Sequence, residues 1–489
     1  MSALSAGGLP LPGAARLDSS LIELSAVEAV AAMRSGDLKA EDYAKALLDR
    51  CEKLKHLNAF TTLDYDRVME MARDADRKRA KGGKLGVLHG LPVPVKDSIN
   101  TKDLPTTLAT EALRDFRPGT DAAVVTALYR EGALLLGKTN LHELQFWWTN
   151  SHSAFGPARN PYDPTRISGG SSGGTAVAVS GRMAPAGLAG DTNGSIRVPA
   201  ALCGVIGFRP TTLRWPQSGV MPLTPTYDTV GPHTRSVADA ILFDSVVTGT
   251  AQGANPISLK GTRIGVPRGY YYADLDPEVE RVTKEVLRKL KDAGVELVDA
   301  DPPYLMELVN LANYPIIHHE TGPSIDCYLK GHGAKVTLKE ILSTARPDVR
   351  QAFELFVLPG GQYRAPYDVY TASRSTNRPL LQRILGSYLR DNGLAAMIFP
   401  ATLCPATPIG HEWEVEYGGR KVPTYIALAR NISPGSCAGL PGLVIPGGLT
   451  SSGLPVGIEF DGHAGGDREL LALGLSLEKV LGPIPPPQA

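Results

Sequence analysis

Apolar positions recur at helical spacing through residues 21–80. The segment Ser25-Ala-Val-Glu28 has the pattern of a capping box, which predicts the start of a helix that Gly36 would end. The same periodicity predicts a second helix over 40–54 and a third, highly charged helix over 65–79. We expect these helices to pack on the outside of the molecule, because none of them has a pattern with recognisable chemistry.

Beyond these helices, short apolar runs alternate with amphipathic segments. The predicted strands lie at 133–136, 263–267, 294–298, 395–400 and 442–446. The predicted helices lie at 121–130, 140–148, 196–203, 236–247 and 276–293. Strand, helix and strand follow one another between 263 and 298, which is typical of an α/β layered fold. Residues 301–375 show no pattern that favours either element.

The composition limits the class of protein. The 489 residues are 43% hydrophobic and 20% charged, with a formal net charge of zero. This length allows one very large domain or two to three ordinary ones. A neutral chain offers no basic surface for nucleic acid or an anionic membrane, and no apolar run is long enough to span a bilayer.

Cysteine usage and the N-terminal sequence indicate the compartment. The five cysteines are widely spaced and form no CxxC pair, which favours free thiols in a reducing environment. The N-terminal region lacks the basic and sustained apolar parts of a signal peptide. We therefore expect a cytoplasmic protein.

Two glycine- and serine-rich loops, 169–174 and 190–195, flank a segment of small apolar residues. Gly and Ser are ordinary turn residues, but glycine also lets a backbone approach a ligand closely. Two such loops so near each other indicate backbone N–H groups and hydroxyls directed at one point. Lys96 ends a short, proline-containing extended segment that gives way to a loop, which is a common place for reactive groups.

Two other motifs match enzyme signatures by letter only. Residues 132–139 fit the phosphate-loop pattern GxxxxGK[ST], but the residues between the glycines are themselves a predicted strand and leave no free amides for a phosphate. Residues 169–173 fit the GxSxG nucleophile elbow, but the polar segment 160–166 stands where an elbow needs a hydrophobic strand. These contexts disfavour nucleotide binding and an α/β-hydrolase elbow.

Three motifs in order resemble those of the amidase signature family of serine hydrolases. They are Gly90-Leu-Pro-Val-Pro-Val-Lys96-Asp, Gly169-Gly-Ser171-Ser-Gly-Gly and Gly190-Asp-Thr-Asn-Gly-Ser195-Ile-Arg, with a spacing of 24 from Ser171 to Ser195. The resemblance extends from about residue 25 to the C-terminus. It implies an α/β fold, namely a single large domain with a central twisted mixed β-sheet covered by helices on both faces.

The resemblance also implies the domain limits. The family domain would occupy 21–489 after a loose N-terminal tail of residues 1–20. Within it, N-terminal helices would occupy 21–80, a catalytic core about 81–250 and a C-terminal part about 260–489.

By resemblance, Ser195 is the nucleophile, Ser171 is the serine of a cis Gly170–Ser171 bond and Lys96 is the base. A serine hydroxyl needs a base to take its proton, and no histidine lies near either serine loop. Lysine can serve only when neutral, so burial without a counter-charge must lower its pKa by several units from about 10.4. The predicted proton path leads from Ser195 through Ser171 to Lys96.

Neighbouring residues are expected to support this chemistry. The candidates for the oxyanion hole are the backbone N–H groups of Thr192, Asn193, Gly194 and Ser195. Ser172, Asp191 and Arg197 are expected to hold the loops. The family usually has Gly at the position of Asn193, so this side chain would narrow the pocket, add a donor or simply adopt the left-handed backbone of a glycine.

Within the family, Leu141-His-Glu-Leu and residues 434–442 look most like the indoleacetamide and mandelamide hydrolase branch. We therefore expect an amidase that converts a neutral, aromatic carboxylic amide to an acid and ammonia or an amine. The candidates for the substrate pocket are Trp147, Trp148, Tyr227 and Ile445, chosen for apolar character and nearness to the motifs. The alternatives are an ammonia-generating amidotransferase A-type subunit, an inactive binding-only relative, or a hydrolase of anilides, carbamates or esters.

The sequence implies no cofactor and no metal. His318-His-Glu320 has no partner spacing for a metal site, which favours a helix face instead. The expected partner is the small-molecule amide, without nucleic acid or membrane, and a homodimer is left open.

Overall fold

A large mixed β-sheet occupies the centre of the protein. The computed structural model describes residues 21–250 and 253–488, so the predicted tail 1–20 lies outside the described residues. The strands in chain order are β1 (Phe60–Leu63), β2 (Pro92–Lys96), β3 (Leu134–Thr139), β4 (Ala186–Asp191), β5 (Ile206–Arg209), β6 (Thr229–Thr234), β7 (Arg263–Gly265), β8 (Glu296–Val298), β9 (Ala396–Pro400), β10 (Glu414–Tyr417), β11 (Arg420–Pro423), β12 (Gly442–Leu449) and β13 (Pro455–Asp461). Strands β10 and β11 form a separate antiparallel hairpin.

The order of strands across the sheet is β1-β3-β2-β4-β6-β5-β12-β13-β9-β7-β8. Strand β2 is parallel to both of its neighbours, β3 and β4. From β4 to β9 the neighbours pair antiparallel, and β9, β7 and β8 are again parallel. This mixed sheet, flanked by helices, confirms the predicted fold class.

Helices cover the sheet and build the C-terminal part of the molecule. In chain order they are α1 (Ala26–Ser35), α2 (Ala40–Lys53), α3 (Tyr65–Ala80), α4 (Ala123–Arg130), α5 (Gly173–Ser180), α6 (Arg197–Cys203), α7 (Val237–Thr248), α8 (Arg268–Tyr271), α9 (Pro277–Asp292), α10 (Leu305–Gly331), α11 (Leu338–Thr344), α12 (Pro347–Ala352), α13 (Tyr367–Ala372), α14 (Arg378–Asp391), α15 (Thr424–Ala429), α16 (Ser433–Ala438) and α17 (Asp467–Leu481). Among the residues described, none of these helices is long and apolar enough to cross a membrane.

Local signals placed many of these elements correctly. The Ser25 side chain accepts the N–H of Glu28, and the Glu28 carboxylate accepts the N–H of Ser25, which completes the predicted capping box of α1. Helix α9 begins at Pro277 behind the N-cap Asp276, where the sequence predicts a helix. The residues between the glycines of the phosphate-loop pattern are strand β3, as expected.

The helix predicted over 140–148 is wrong. After β3 the chain makes only a short 3₁₀ turn at Glu143–Gln145, in which Leu144 has a φ of 54°. The N–H of His142 donates to the carbonyl of Ser171, and the N–H of Leu144 donates to the carbonyl of Leu108. Because neighbouring segments take these backbone donors, the chain follows the serine loop instead of coiling.

The fold brings the ends of two parallel strands to one edge of the sheet. Lys96 is the last residue of β2 and Asp191 is the last residue of β4, and these strands are adjacent. Thr229, which pairs with Asp191, begins β6 at the same edge. Open α/β sheets bind ligands beyond the carboxyl ends of their parallel strands, so this edge is the expected location of a site.

Helix α5 follows the first serine loop and helix α6 follows the second, and both helices are completely buried. Their small side chains allow close packing against the strands. A Cβ at Gly174 would lie 2.4 Å from the carbonyl oxygen of Asn140 and 2.5 Å from that of Ala59, so only glycine fits there. The small apolar residues of this segment therefore position both loops through backbone contact.

Candidate active site

Lys96 and Ser171 are in direct contact at the end of β2. The Nζ atom of Lys96 lies 2.8 Å from the Oγ atom of Ser171, and both side chains are buried. Ser171 follows a cis peptide bond from Gly170, as the resemblance implies. Within the described part of the chain, no carboxylate forms an ion pair with Lys96, and the charges of Asp191 and Asp228 act on it only from a distance.

This environment changes the protonation of Lys96. Burial lowers the pKa of Lys96 from 10.5 to about 7, although the carboxylates of Asp191 and Asp228 act in the opposite direction. A buried ammonium is costly because the protein replaces its water shell with few charges or dipoles. A large fraction of Lys96 is therefore a neutral amine near pH 7, and such an amine can accept a proton from Ser171.

Ser172 joins the first serine loop to the second. Its Oγ donates to the carbonyl of Gly190 at 3.1 Å and accepts the N–H of the same residue at 3.4 Å. A Cβ at Gly190 would lie 3.8 Å from Nζ of Lys96. Lys96 and both loops thus meet at Gly190, and the predicted supporting position of Ser172 corresponds to a specific pair of contacts.

Asp191 organises the loop that contains Ser195. Its carboxylate accepts the N–H groups of Gly194 at 2.9 Å and Ile196 at 3.0 Å. It also binds two buried guanidinium groups, Arg197 at 3.2 Å and Arg209 at 2.7 Å. Burial alone would raise the pKa of Asp191, but Arg197 and Arg209 together hold it below its ordinary value. An ionised Asp191 therefore fixes the shape of the loop.

Arg197 extends this anchor across the sheet. Its guanidinium also contacts the carboxylate of Glu459 in β13 and the hydroxyl of Ser436 in α16. Burial opposes the charge of Arg197, but Asp191, Glu459 and Asp461 raise its pKa. The predicted loop-holding role of Asp191 and Arg197 agrees with these contacts.

The backbone around Ser195 supplies three free donors. In the described chain, the N–H groups of Thr192, Asn193 and Ser195 have no hydrogen-bond acceptor, whereas the N–H of Gly194 donates to Asp191. Gly194 has a φ of 105°, a conformation that favours glycine. The geometry therefore does not support Gly194 in the predicted oxyanion hole, because its donor is already used. Thr192, Asn193 and Ser195 remain available.

The side chain of Asn193 takes a defined position. Its Nδ2 donates to Ser433 Oγ at 3.1 Å, and its backbone carbonyl accepts the indole N–H of Trp148 at 2.7 Å. The left-handed residue of this loop is Gly194, so the interpretation of Asn193 as a replacement for a left-handed glycine is wrong. Asn193 and Ser195 both line the cavity.

Asp228 lies at the same edge, immediately before β6. Its carboxylate accepts the hydroxyl of Thr192 at 2.6 Å and the N–H groups of Leu223 and Thr224, both at 2.8 Å. Burial raises the pKa of Asp228 to about 6, although these donors lower it. Asp228 is therefore a second carboxylate that influences Lys96 without touching it.

His233 is a buried histidine that interacts electrostatically with Lys96, so that a positive charge on either side chain lowers the pKa of the other. Its Nε2 lies 2.7 Å from the carbonyl oxygen of Ile196. Burial lowers the pKa of His233 to about 4, so the ring is neutral at pH 7. Because the ring is bonded to the backbone of Ile196, His233 packs behind the loop and is not placed as a base for Ser195.

Ser195 opens into an aromatic cavity of about 560 Å³. The lining residues include Trp147, Trp148, Tyr314, Phe356, Trp413 and Tyr425, together with Thr192 and Asn193 beside Ser195. The titratable imidazole in this wall is His318, and burial lowers its pKa to about 4. No Asp, Glu, Lys or Arg belongs to the described lining, so the cavity suits an uncharged aromatic group.

A family model for Amidase matches residues 42–471 of the chain. The chain belongs to the amidase signature family. It is therefore a hydrolase of carbon–nitrogen bonds other than peptide bonds, in linear amides.

Individual relatives of this amidase agree with the assignment. The chain is 39% identical over 451 residues to an indoleacetamide hydrolase of Agrobacterium vitis, covering 92% of this chain and 95% of the relative. It is 34% identical over 483 residues to a mandelamide hydrolase of Pseudomonas putida, covering 96% and 93%. A crystal structure of an amidase superposes with a TM-score of 0.83 at 31% identity, covering 94% of this chain and all (100%) of that chain.

Two of the four residues predicted for the pocket line the aromatic cavity of this amidase. Trp147 and Trp148 line the cavity, with ring centroids 5.4 Å apart. Tyr227 does not line it, because its hydroxyl binds Asn313 of α10 in the core. Ile445 lies in β12 opposite Ile458 and packs in another core cluster. For these two residues the pocket prediction is wrong.

The His318-His319-Glu320 segment of the amidase is not a metal cluster. His318 faces the aromatic cavity, whereas the ring of His319 stacks on Tyr370 at 4.8 Å. The Glu320 carboxylate accepts the N–H of Thr226 at 3.1 Å. Three consecutive side chains on α10 thus have three different partners, as a helix face predicts.

Sequence reasoning missed several residues that complete the amidase site. Arg209 and Asp228 stand at the end of β5 and just before β6, where a charged residue borders a buried apolar strand. That pattern was a usable signal for both. Trp413 had no such signal, because it precedes the β10–β11 hairpin far from the three motifs.

Proposed function

We propose that this amidase hydrolyses neutral aryl carboxylic amides to the acid and ammonia through an acyl-enzyme on Ser195. The observation that supports it best is the 2.8 Å contact between Lys96 Nζ and Ser171 Oγ in a site where burial lowers the pKa of Lys96 to about 7. Ser195 lines the aromatic cavity.

The proposed first step forms the acyl-enzyme. Ser195 Oγ attacks the amide carbon, its proton passes to Ser171 Oγ, and the proton of Ser171 passes to the neutral amine of Lys96. The N–H groups of Asn193 and Ser195 stabilise the oxyanion of the tetrahedral intermediate. Lys96 then returns its proton through Ser171 to the leaving nitrogen, and the carbon–nitrogen bond breaks to release ammonia.

The proposed second step regenerates the enzyme. Water attacks the ester carbon of the acyl-enzyme, and its proton follows the same path to Lys96. Collapse of the second tetrahedral intermediate breaks the bond to Ser195 Oγ, which recovers a proton from Lys96 through Ser171. No hydrogen bond joins Ser171 to Ser195 in the described structure, so the path requires their hydroxyls to approach when substrate is bound.

The cavity supports the proposed substrate class. Its described wall includes three tryptophan, three tyrosine and two phenylalanine rings, which bind a planar apolar group through large contact areas. The relatives named indoleacetamide hydrolase and mandelamide hydrolase act on aryl amides by name, and this chain is similar to both over most of its length. We therefore extend the aryl preference to this protein.

Ammonia release from purified full-length protein tests the proposal. We expect hydrolysis of 2-phenylacetamide with at least about a thousandfold loss of kcat in Ser195→Ala and Lys96→Ala. Ser168→Ala is the matched control, because among the described residues the hydrogen bond of that hydroxyl is to the carbonyl of Gly169 within its own loop. Turnover of acetamide but of no aryl amide would refute the aryl assignment, and full activity of Lys96→Ala would refute the mechanism.

The cavity disfavours the amidotransferase alternative. A subunit that draws ammonia from glutamine must bind an α-ammonium and an α-carboxylate, and unpaired charges are costly to bury. The described cavity wall offers neither a carboxylate nor a cationic side chain to pair with them. Ammonia release from glutamine by the isolated protein would reverse this preference.

A further inference from the structure

The side-chain oxygen of Asn193 is an unused hydrogen-bond acceptor beside the nucleophile. Asn193 is 3% exposed and lines the aromatic cavity next to Ser195. Its Oδ1 atom is buried and has no hydrogen-bond partner among the described residues. Buried carbonyl oxygens are normally satisfied, so this one requires an explanation.

The orientation of this amide follows from its neighbours. Ser433 Oγ donates its single proton to the carbonyl of Ala429 at 2.8 Å, so toward Asn193 it can only accept. The group that faces Ser433 is therefore the Nδ2 donor of Asn193, and the opposite amide flip would place two acceptors together. Oδ1 consequently points away from Ser433.

The rest of Asn193 is also fixed. Trp148 donates its indole N–H to the Asn193 carbonyl at 2.7 Å, and Trp148 itself lines the cavity. Contacts on the backbone and on Nδ2 hold the residue without using Oδ1. Oδ1 is buried before substrate binds, so a ligand donor reaches it when this wall of the cavity shifts on binding.

The cavity identifies which part of the substrate meets this acceptor. Ser195 and Asn193 line it, whereas Lys96 and Ser171 do not belong to its wall. In the proposed reaction the leaving nitrogen must face Ser171 and departs as ammonia, which has no bulk. The acyl group therefore fills the aromatic cavity and reaches Asn193.

We infer that Oδ1 of Asn193 accepts a hydrogen bond from a neutral O–H or N–H on the acyl group, so that the enzyme selects aryl amides that carry such a donor. This inference rests on the proposed function. A substrate without the donor leaves Oδ1 desolvated and unpaired, which is how a hydrogen-bonding pocket rejects an analogue that lacks the partner. Asn193 is a specificity-determining residue in this scheme, and Ser433 is the residue that positions its amide.

Matched substrate pairs test the inference with the full-length protein. One pair is 2-hydroxy-2-phenylacetamide and its O-methyl ether, and the other is indole-3-acetamide and its 1-methyl derivative. We expect kcat/KM to favour the donor member of at least one pair by about tenfold or more. The pair that shows the preference identifies the donor as an α-hydroxyl or a ring N–H.

Two variants connect any preference to Asn193. Asn193→Gly keeps the backbone N–H and removes the acceptor, so the ratio of kcat/KM values should fall to within about twofold of one. Ser433→Ala removes the partner of Nδ2, so the side-chain amide of Asn193 can rotate by about 180°. This variant should give a ratio of kcat/KM values between those of the wild type and Asn193→Gly. Stoichiometric labelling of Ser195 by a fluorophosphonate shows that each variant is folded.

Failure of the inference and failure of the proposed function give different results. A wild-type ratio near one for both pairs, or an unchanged ratio in Asn193→Gly, would overturn the inference while the amidase proposal stands. Labelled wild-type protein that hydrolyses no aryl amide would overturn the proposed function and the inference with it.

Discussion

Lys96 and Ser171 form a buried amine–hydroxyl pair, with 2.8 Å between Nζ and Oγ. The carboxylates that influence this amine, Asp191 and Asp228, do so through space, and within the described residues neither forms an ion pair with it. A lysine without a paired counter-charge loses its proton more easily, whereas a lysine in an ion pair keeps it. The ability of Lys96 to accept a proton from Ser171 therefore changes with pH close to neutrality.

The first prediction concerns the pH dependence of catalysis. Burial lowers the pKa of Lys96 to about 7, and the proposed active form is the neutral amine. The value of kcat/KM should therefore rise with pH through about 7, with a slope of one on a logarithmic plot, and level off above it. A profile that is flat from pH 5 to 9, or that falls through pH 7, would contradict Lys96 as the base.

Asp228 should shift that profile. Its negative charge favours the protonated form of Lys96, so Asp228→Asn should lower the pKa of Lys96 and move the acid limb of kcat/KM to lower pH by about half a unit. Thr192→Ser, which keeps both the hydroxyl donor to Asp228 and the charge of that carboxylate, is the control. A shift to higher pH in Asp228→Asn would show that the carboxylate acts on the loop geometry instead.

Two buried lysines on neighbouring strands should respond oppositely to replacement by methionine. The unfolded chain keeps Lys96 protonated up to about pH 10.4, whereas the native lysine is neutral above about 7, so stability rises with pH across this window. At about 1.4 kcal/mol per pKa unit the shift corresponds to about 5 kcal/mol, an upper bound. Lys96→Met should stabilise the fold by about 2 kcal/mol at pH 7, because it also loses the Ser171 contact, and this gain should shrink toward pH 10.

Lys138 is the matched comparison. Its Nζ lies 3.3 Å from Asp97, and both side chains are fully buried. Lys138→Met leaves the Asp97 carboxylate without its partner and should destabilise the fold by about 3–5 kcal/mol. Urea unfolding at pH 7 and 9 measures both variants. Equal effects of the two substitutions would contradict the distinction between a paired and an unpaired lysine.

The residues of the candidate site could be selected from the sequence because their signals are local. Lys96, Ser171 and Ser195 each stand in a short motif that is recognisable without the rest of the chain. The start of α1 was predictable for the same reason, since a capping box involves only four consecutive residues. Such features depend little on the rest of the chain.

Features that depend on distant segments were not predictable. Nearness in sequence to a motif suggested Ile445 and Tyr227 as pocket residues, but β12 and α10 hold them in the core. Helix α10 contains Pro315 and Pro323 and buries residues around much of its circumference, so it has neither the periodicity nor the composition of a surface helix. Only the folded chain brings such residues to their partners.

Arg209 should affect the rate more than substrate binding. Its guanidinium reaches the Asp191 carboxylate at 2.7 Å, the Asp191 carbonyl at 2.8 Å and the Tyr227 carbonyl at 2.7 Å. Arg209→Lys keeps the charge but loses this fork, so kcat should fall about 10- to 100-fold with little change in KM. Arg214→Lys, which alters a similar fork to Asp244 away from the cavity, is the control. A change confined to KM would place Arg209 in substrate binding instead.

Trp413 should determine affinity for the aryl group. Its ring lies 5.0 Å from that of Trp147 and 6.5 Å from that of Phe356 across the cavity wall. Trp413→Ala removes one face of the proposed aryl site, and loss of an aromatic contact of about 1–1.5 kcal/mol or more corresponds to an increase in KM of about tenfold for 2-phenylacetamide. Because the ring touches neither Ser195 nor Lys96, kcat should change little.

Acetamide, which cannot reach the ring, should keep its kcat/KM, and Trp413→Phe should restore most of the affinity for the aryl amide. An equal loss with acetamide and 2-phenylacetamide would mean that the substitution disturbs the catalytic loops, and Trp413 would then have no separate role in recognition.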